Sequence, residues 1–387
     1  MQFEIDEIKE LCDHCLGRLY ASLGHGLTNE ERGKAIRVIY AMEKNLNLKD
    51  LYPERCSLCN NIFEKVDHFA EIVIRAIEGY EFDTFLIGIR NNKEIIEKEK
   101  GLMEKYGNLG EDIGNELSRE IGKAVYLKIG KDVSLTEPDI TIIVDTDYES
   151  ADVYPKPIFI YGRYRKLERG IPQTRWIHGK GMSVEEYIGE VANSYFKGEK
   201  YYLHGAGRED VDVLMLGNGR PFVLEIKSPR RRNIDLKDLQ ERINNEYKGK
   251  IEVEGLTYVK REMVKRIKGM ESKKVYVLRI ELEREMEFKD LEDKIKGLEG
   301  KIIYQRTPWR ERNRRPDRIR HKRIYSVRLI SLKGTHAEIE ITADAGTYIK
   351  ELAHGDNGRT SPSISELLDQ KIKIESLDVV KILDRED

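Results

Sequence analysis

An α+β fold in three segments is what this sequence predicts: a cysteine-bearing segment over residues 1–65, a small α+β domain over 66–175, and a larger β-rich domain over 176–387. Three observations carry that expectation. A chain of 387 residues exceeds one ordinary hydrophobic core. Helical and strand periodicities alternate between residues 66 and 175. From Tyr201 onward strands dominate, with helices inserted. Composition then narrows function by exclusion. With 68 basic against 70 acidic residues the net charge is −2, so nucleic-acid binding has to come from local patches. No apolar run nears the roughly 18 residues of a membrane span, and the acidic start "MQFEIDEIKELCDHC" lacks a signal-peptide layout. A cytoplasmic protein with no membrane partner is expected. The 36% charged content is of the kind found in heat-adapted proteins.

In the first segment the four cysteines fall into two pairs, "CDHC" (Cys12, Cys15) and "CSLC" (Cys56, Cys59). Two C-x-x-C knuckles suit one tetrahedral zinc, and a site of four thiolates has no open position for water, so the zinc is read as structural. Two disulfides or four buried thiols are the alternative. His14 and His25 are spare candidate ligands. Between the pairs, "TNEERGKAIRVIYAM" reads as a helix: Thr28 and Glu31 make a capping box, and Ile36, Ile39 and Tyr40 recur at helical spacing.

In the second segment "DHFAEIVIRAI" and "IGNELSREIGKAV" read as helices, and "DTFLIGIR", "PDITIIVDTD" and "KPIFIYGRYRKL" as strands. "IPQTRW" reads as a connector. In the third segment Ser183 and Glu186 open an amphipathic helix, with Tyr187, Ile188, Val191, Ala192 and Tyr195 on one side. The stretch "HGAGREDVDVLMLGNGRPFVLEIKSPRRR", His204 to Arg232, is denser in chemistry. Two apolar runs bridged by Gly217, Asn218 and Gly219 read as a hairpin. Glu225 and Lys227 share one face of its second strand, and Asp210 or Asp212 could join them. A carboxylate followed by Glu-x-Lys is how metal-dependent nucleases hold a divalent ion. Charges alternating on a half-exposed strand are the bland alternative.

"GREDVDV" also resembles the nucleophile loop of pseudouridine synthases. Together with "YGRYRKLERGIPQTRW", "GNGRPFVLEIKSPRRR", "YQRTPWR", "ADAGTYIKELAHGDNGRTSPS" and the paired C-x-x-C, the chain is similar nearly end to end to the archaeal-type tRNA pseudouridine synthases for positions 54 and 55, the THUMP-containing Pus-ten type. The resemblance implies a zinc-bearing N-terminal segment, an RNA-binding THUMP domain and a catalytic domain on a mixed antiparallel sheet. It implies isomerisation of uridine in the TΨC loop of tRNA, without a cofactor in the reaction. The uridine is cut at its glycosidic bond, turned, and rejoined through carbon, which one ionised carboxylate can initiate. Resemblance gives that role to Asp210 rather than Asp212, with Lys350 as its cation. It assigns Tyr276 and Tyr348 as rings against the substrate and Leu377 as the leucine that packs on the target base. Arg208, two before Asp210, is a candidate to fill the gap left by the flipped base, or else a phosphate contact.

RNA contact is expected from "SPRRRN" and from "QRTPWRERNRRPDRIRHKR", which holds nine Arg or Lys between Arg306 and Arg323. The middle of the latter departs from the family, with Glu311, Asn313 and Pro316 where an apolar residue, a histidine and a small residue are expected. The partner is tRNA, met by a monomer. The rivals are the metal nuclease and a zinc-bearing RNA-binding protein without catalysis.

Overall fold

In the computed structural model, which describes residues 5–106, 110–176, 181–313 and 315–384, the chain folds as two units. The first takes Met1–Lys156 and Ser228–Arg232; the second takes Pro157–Lys227 and Asn233–Asp387.

In the first unit, helices Asp13–Arg18 and Asn29–Lys44 touch backbone to backbone. A Cβ on Gly17 would stand 1.7 Å from the Asn29 carbonyl oxygen, so only glycine permits the crossing. The capping box at Thr28 starts the second of these helices, as its sequence predicts. The rest of the unit is a four-stranded sheet of β1 (Thr84–Arg90), β2 (Asp132–Val133), β3 (Ile140–Asp145) and β4 (Ser150–Pro155), in the order β2-β1-β3-β4. Helices Val66–Ala76 and Ile113–Ile129 pack on it, burying Phe69, Val73, Leu117 and Ile121 against Phe85, Ile140 and Ile142. Cys15, Cys56 and Cys59 belong to the same core. Helix Lys93–Lys105 escapes the sequence reading for a physical reason. One of its buried positions is Glu99, paired with the buried Arg18, so a charge interrupts the apolar stripe that would reveal the helix.

The second unit is built on a ten-stranded mixed sheet. Its strands are β5 (Ile158–Lys166), β6 (Lys200–Gly205), β7 (Leu214–Lys227), β8 (Ile251–Val259), β9 (Lys273–Leu282), β10 (Ile302–Arg306), β11 (Ile319–Lys333), β12 (His336–Ala343), β13 (Thr360–Ser361) and β14 (Ile372–Leu383). They run in the order β13-β10-β11-β12-β9-β14-β7-β5-β8, with β6 also on β7. All pairs are antiparallel except β14 with β7. Helix Val184–Phe196, opened by the Ser183–Glu186 capping box, covers β6 and β7.

Two readings of the sequence are corrected here. The expected hairpin across Gly217–Gly219 is one continuous strand, β7. The glycines make a bend at which one edge of the strand changes neighbours: Leu214 and Met215 run parallel to β14, whereas Phe222 to Lys227 pair antiparallel with β6, and β5 stays along the other edge. Gly217 has φ +56°, and a Cβ there would meet the Val380 carbonyl oxygen at 1.8 Å. The Asn218 side chain pairs with the backbone of Ile382, donating at 2.7 Å and accepting at 2.9 Å. The strand of "KPIFIYGRYRKL" belongs to this large sheet, between β7 and β8. The run from Arg220 to Glu225 is buried throughout, so β7 needs hydrogen-bond partners along both edges, and β5 supplies one of them.

Candidate active site

Asp210 lies on the loop between β6 and β7, and a buried polar network holds that loop from below. Glu209, 1% exposed at its side chain, accepts hydrogen bonds from the Tyr164 hydroxyl at 2.9 Å and from Arg220 at 2.8 Å. Arg220 also donates to the Ala206 carbonyl at 2.8 Å, and Gln173 donates to the Tyr164 hydroxyl at 2.8 Å and the Gly207 carbonyl at 2.9 Å. The Lys166 ammonium donates to the carbonyls of Ile171, Asp210 and Val211 at 2.9, 3.1 and 3.2 Å. Burial pushes Lys166 below the usual lysine range, and burial raises the Tyr164 phenol well above its own. Arg169 ties the loop to β14, donating to the carbonyls of Asp212 at 2.7 Å and Leu377 at 3.2 Å. The sequence reading missed these supports, although all lie inside the quoted motifs. For Lys166 and Arg220 the signal was a charge on a strand's inward face: Lys166 follows Ile158, Ile160 and Tyr164 on the buried side of β5.

The Asp210 carboxylate meets two cations. Arg310 approaches at 2.9 Å and Lys350 at 3.2 Å. Lys350 is shared, lying 2.7 Å from both oxygens of Asp212. Burial works to raise the Asp212 carboxyl, but Lys350 outweighs it and holds the group below the usual carboxylate range. Arg310, which sequence reasoning did not single out, is braced by the buried Glu351 at 2.7 Å. The helix bearing Lys350 and Glu351, Ile349–His354, is fixed through its N-cap. Buried Gln305 accepts from the Tyr348 N–H at 2.9 Å and donates to its carbonyl at 2.9 Å.

Asp210 borders a cavity of about 360 Å³, within the usual range for small-molecule sites. Tyr276, Leu377, Tyr348, Lys350 and Arg208 all line it, so every substrate-side residue expected from the sequence meets Asp210 at one cavity. Tyr276 stands opposite Val379 across the β9–β14 pair and is 7% exposed. Burial pushes its phenol up to about 12. Leu377 is 6% exposed. The Tyr348 hydroxyl takes a hydrogen bond from Arg315 at 3.3 Å, and Arg320 stands 5.9 Å from its ring. Arg208 is exposed and also lines a second cavity that shares Asp210 and Arg310.

The metal-nuclease arrangement does not form among the described residues. Glu225 is engaged by His204 at 2.9 Å and Lys227 at 2.6 Å. Among the described residues the one group of three or more candidate metal ligands is Cys12, Cys15, Cys56 and Cys59, whose sulfurs all lie within 4.8 Å of one another. Tetrahedral zinc with bonds of about 2.3 Å would set sulfurs about 3.8 Å apart, and Cys12 and Cys59 are separated by 3.7 Å. All four are free thiols, which removes the disulfide alternative. His14 is committed elsewhere, bonded to Glu116 at 2.8 Å and stacked on Phe63. Of the two basic stretches, Ser228–Arg232 folds into the first unit. There Arg231 pairs with Glu81, Arg232 pairs with Asp139, and Arg230 lies over Tyr80. The stretch Arg306–Arg323 lines the Asp210 cavity through Arg310, Arg315, Arg320 and Lys322; Arg314 lies outside the described residues. Glu311, at one of the divergent positions, pairs with Arg310 at 3.8 Å and Arg315 at 3.9 Å.

Comparison with known proteins gives the family. Residues 159–383 match the family model described as "Pus10, C-terminal", and residues 69–145 match "Pus10 THUMP domain, archaeal". The chain is 44% identical to the tRNA pseudouridine synthase Pus10 of Picrophilus torridus, over 96% of each chain. It is 44% identical to the protein of that name from Pyrococcus furiosus, over 98% of this chain and 97% of the relative, and 41% identical to that of Thermoplasma acidophilum over the full length of both. The match thus spans the cysteine pairs, the THUMP domain and the sheet that carries Asp210, and the chain belongs to the Pus10 family of pseudouridine synthases.

Proposed function

We propose that this protein converts uridine to pseudouridine in the TΨC loop of tRNA, at position 54, position 55 or both, with Asp210 as nucleophile. The observation that carries this reading is one carboxylate held by two cations at the edge of a base-sized cavity walled by Tyr276 and Leu377. Lys350 and Arg310 flank the Asp210 carboxylate, and a carboxylate is the form that can attack the sugar or remove its proton. An extruded uracil stacks between the Tyr276 ring and Leu377, and Arg208 takes the space it leaves or binds a neighbouring phosphate. Tyr348 contacts the substrate from the rim. The RNA backbone meets the Arg306–Arg323 stretch, where phosphates replace the carboxylates that now partner Arg306 and Arg315, while Arg310 stays on Asp210. A structural zinc on Cys12, Cys15, Cys56 and Cys59 stabilises the first unit and has no part in the reaction. The names of the relatives and the presence of a THUMP domain support tRNA as the substrate.

Incubating the pure protein with an unmodified tRNA transcript and mapping pseudouridine tests this reading. Wild type should modify position 54, 55 or both. Asp210→Asn should slow the reaction by roughly three orders of magnitude or more while tRNA affinity stays near wild type. Asp212→Asn should keep most activity, because Lys350 then turns its charge wholly to Asp210. The reverse outcome would make Asp212 the nucleophile. Strand scission dependent on magnesium would return the nuclease.

A further inference from the structure

Resting on that reading, we propose that Lys274 is the cation that stabilises the uracil anion released when the glycosidic bond of the target uridine breaks. Lys274 precedes Tyr276 by two residues on β9, so both side chains point to one face of the sheet, and both line the Asp210 cavity. The residue is 9% exposed. Its ammonium has no hydrogen-bond or ion-pair partner among the described residues, and it stands 3.5 Å from where a Cβ on Gly207 would be, beneath the loop that presents Asp210. The other buried or half-buried cations of the cavity are spoken for. Arg220 is on Glu209 and the Ala206 carbonyl, Lys322 donates to the Ala345 carbonyl at 2.6 Å, Arg320 donates to the Thr307 hydroxyl at 2.9 Å, and Lys350 and the more exposed Arg310 hold carboxylates. An ammonium without a partner on so largely buried a side chain is costly, and the natural relief is an anion supplied by the ligand.

Two parts of an RNA substrate could supply it, a phosphodiester or the base. Burial favours the base, which enters deepest when a nucleotide is flipped, while exposed Lys268 and Arg208 stand at the same cavity to meet phosphate. When the C1′–N1 bond breaks, its electron pair stays on N1 and spreads to the two uracil oxygens, while C1′ is taken by an Asp210 oxygen. After the ring turns, C5 bonds to C1′ and the carboxylate departs with its electron pair. The C5 proton is lost to a base and N1 regains a proton, so the composition is unchanged. A fixed cation beside the ring stabilises the separated state more than the intact nucleoside, which is what accelerates bond breaking.

The surroundings support the placement. Burial, with Arg220 and Lys322 nearby and Glu209 opposing them, pushes Lys274 down to about 8. Its neighbours across the flanking strands, Ala343 and Ile382, carry no charge, and the Tyr276 phenol remains neutral below about 12. The cation therefore persists at neutral pH and is lost as pH rises through about 8 in the free protein.

The test is single-turnover pseudouridine formation with enzyme in excess over an unmodified tRNA transcript, with affinity measured separately, for wild type, Lys274→Met and Lys274→Arg. Lys274→Met should lower the saturated rate about a hundred-fold with tRNA affinity little changed, and should melt no lower than wild type because an unpaired buried charge is gone. Lys274→Arg should recover at least about ten-fold of that loss and remove the fall in kcat/KM above pH of about 8, because arginine keeps its proton. A Met variant as fast as wild type would overturn the proposal. So would one that loses affinity at an unchanged saturated rate, which would identify a phosphate contact. Failure of the underlying reading looks different: wild type itself would then form no pseudouridine.

Discussion

Tyr276 combines a nearly buried ring in the cavity wall with a hydroxyl that burial keeps protonated, its pKa pushed up to about 12. A phenol in that state can take the C5 proton only while passing its own onward, so ring and hydroxyl have separable jobs. Tyr276→Phe keeps the stacking surface and should bind tRNA normally, yet slow single-turnover formation of pseudouridine by about a hundred-fold or more. Tyr276→Ala removes both, adding the roughly 1–3 kcal/mol that a base gains on an aromatic ring. A Phe variant at the wild-type rate would restrict the ring to stacking. An Ala variant at that rate would make Tyr276 ordinary core.

At the scale of elements, the loop that bears Asp210 is set by charges placed where strands are otherwise apolar. Arg220 follows the Gly217–Gly219 bend of β7 and reaches Glu209, while Lys166 at the end of β5 gathers three carbonyls of the loops around it. None of these groups needs to touch substrate to matter. Arg220→Met would leave the buried Glu209 carboxylate without its nearer cation, with only Lys166 at 3.9 Å, a change of the kind that costs up to about 3–5 kcal/mol. Thermal melting should show that loss. Met fills the space of Arg220, so a variant with an unchanged melting temperature would mean that Tyr164 and Lys166 compensate. In either case the saturated turnover rate should fall, because the loop that aims Asp210 loses its brace.

Over the whole molecule, a net charge of −2 conceals a sharp local asymmetry. The cavity-lining stretch Arg306–Arg323 is strongly basic, whereas the arginines of Ser228–Arg232 are largely absorbed by Glu81, Asp139 and Tyr80 in the first unit. Among the described residues no helix is long and apolar enough to cross a membrane. The cysteine quartet belongs to the first unit and the Asp210 cavity to the second, so metal and chemistry should be separable. Elemental analysis should find about one zinc per chain, and Cys56→Ser should lower the melting temperature before it changes the saturated rate. EDTA added to folded protein should leave pseudouridine formation intact. Protein purified without zinc, or activity lost at once in EDTA, would contradict this.

The sequence by itself determined the sets that local order can encode. The cysteine pairs were legible because their spacing is short and fixed. The helices at Thr28 and Ser183 were legible because each carries its own capping box. Asp210, Tyr276, Tyr348, Lys350, Leu377 and Arg208 could be named because each sits in a short ordered motif. Tertiary structure decided which of those motifs meet and what they do to one another. That β7 runs on through three residues that look like a turn depends on neighbours far along the chain, β5 and β14, which no local pattern contains. That Arg310 stands at Asp210, braced by Glu351, and that Lys274 lies largely buried with no ion-pair partner among the described residues, are facts of contact between segments tens of residues or more apart. A charge reads the same in sequence whether water or a protein interior surrounds it, and only the fold assigns its surroundings.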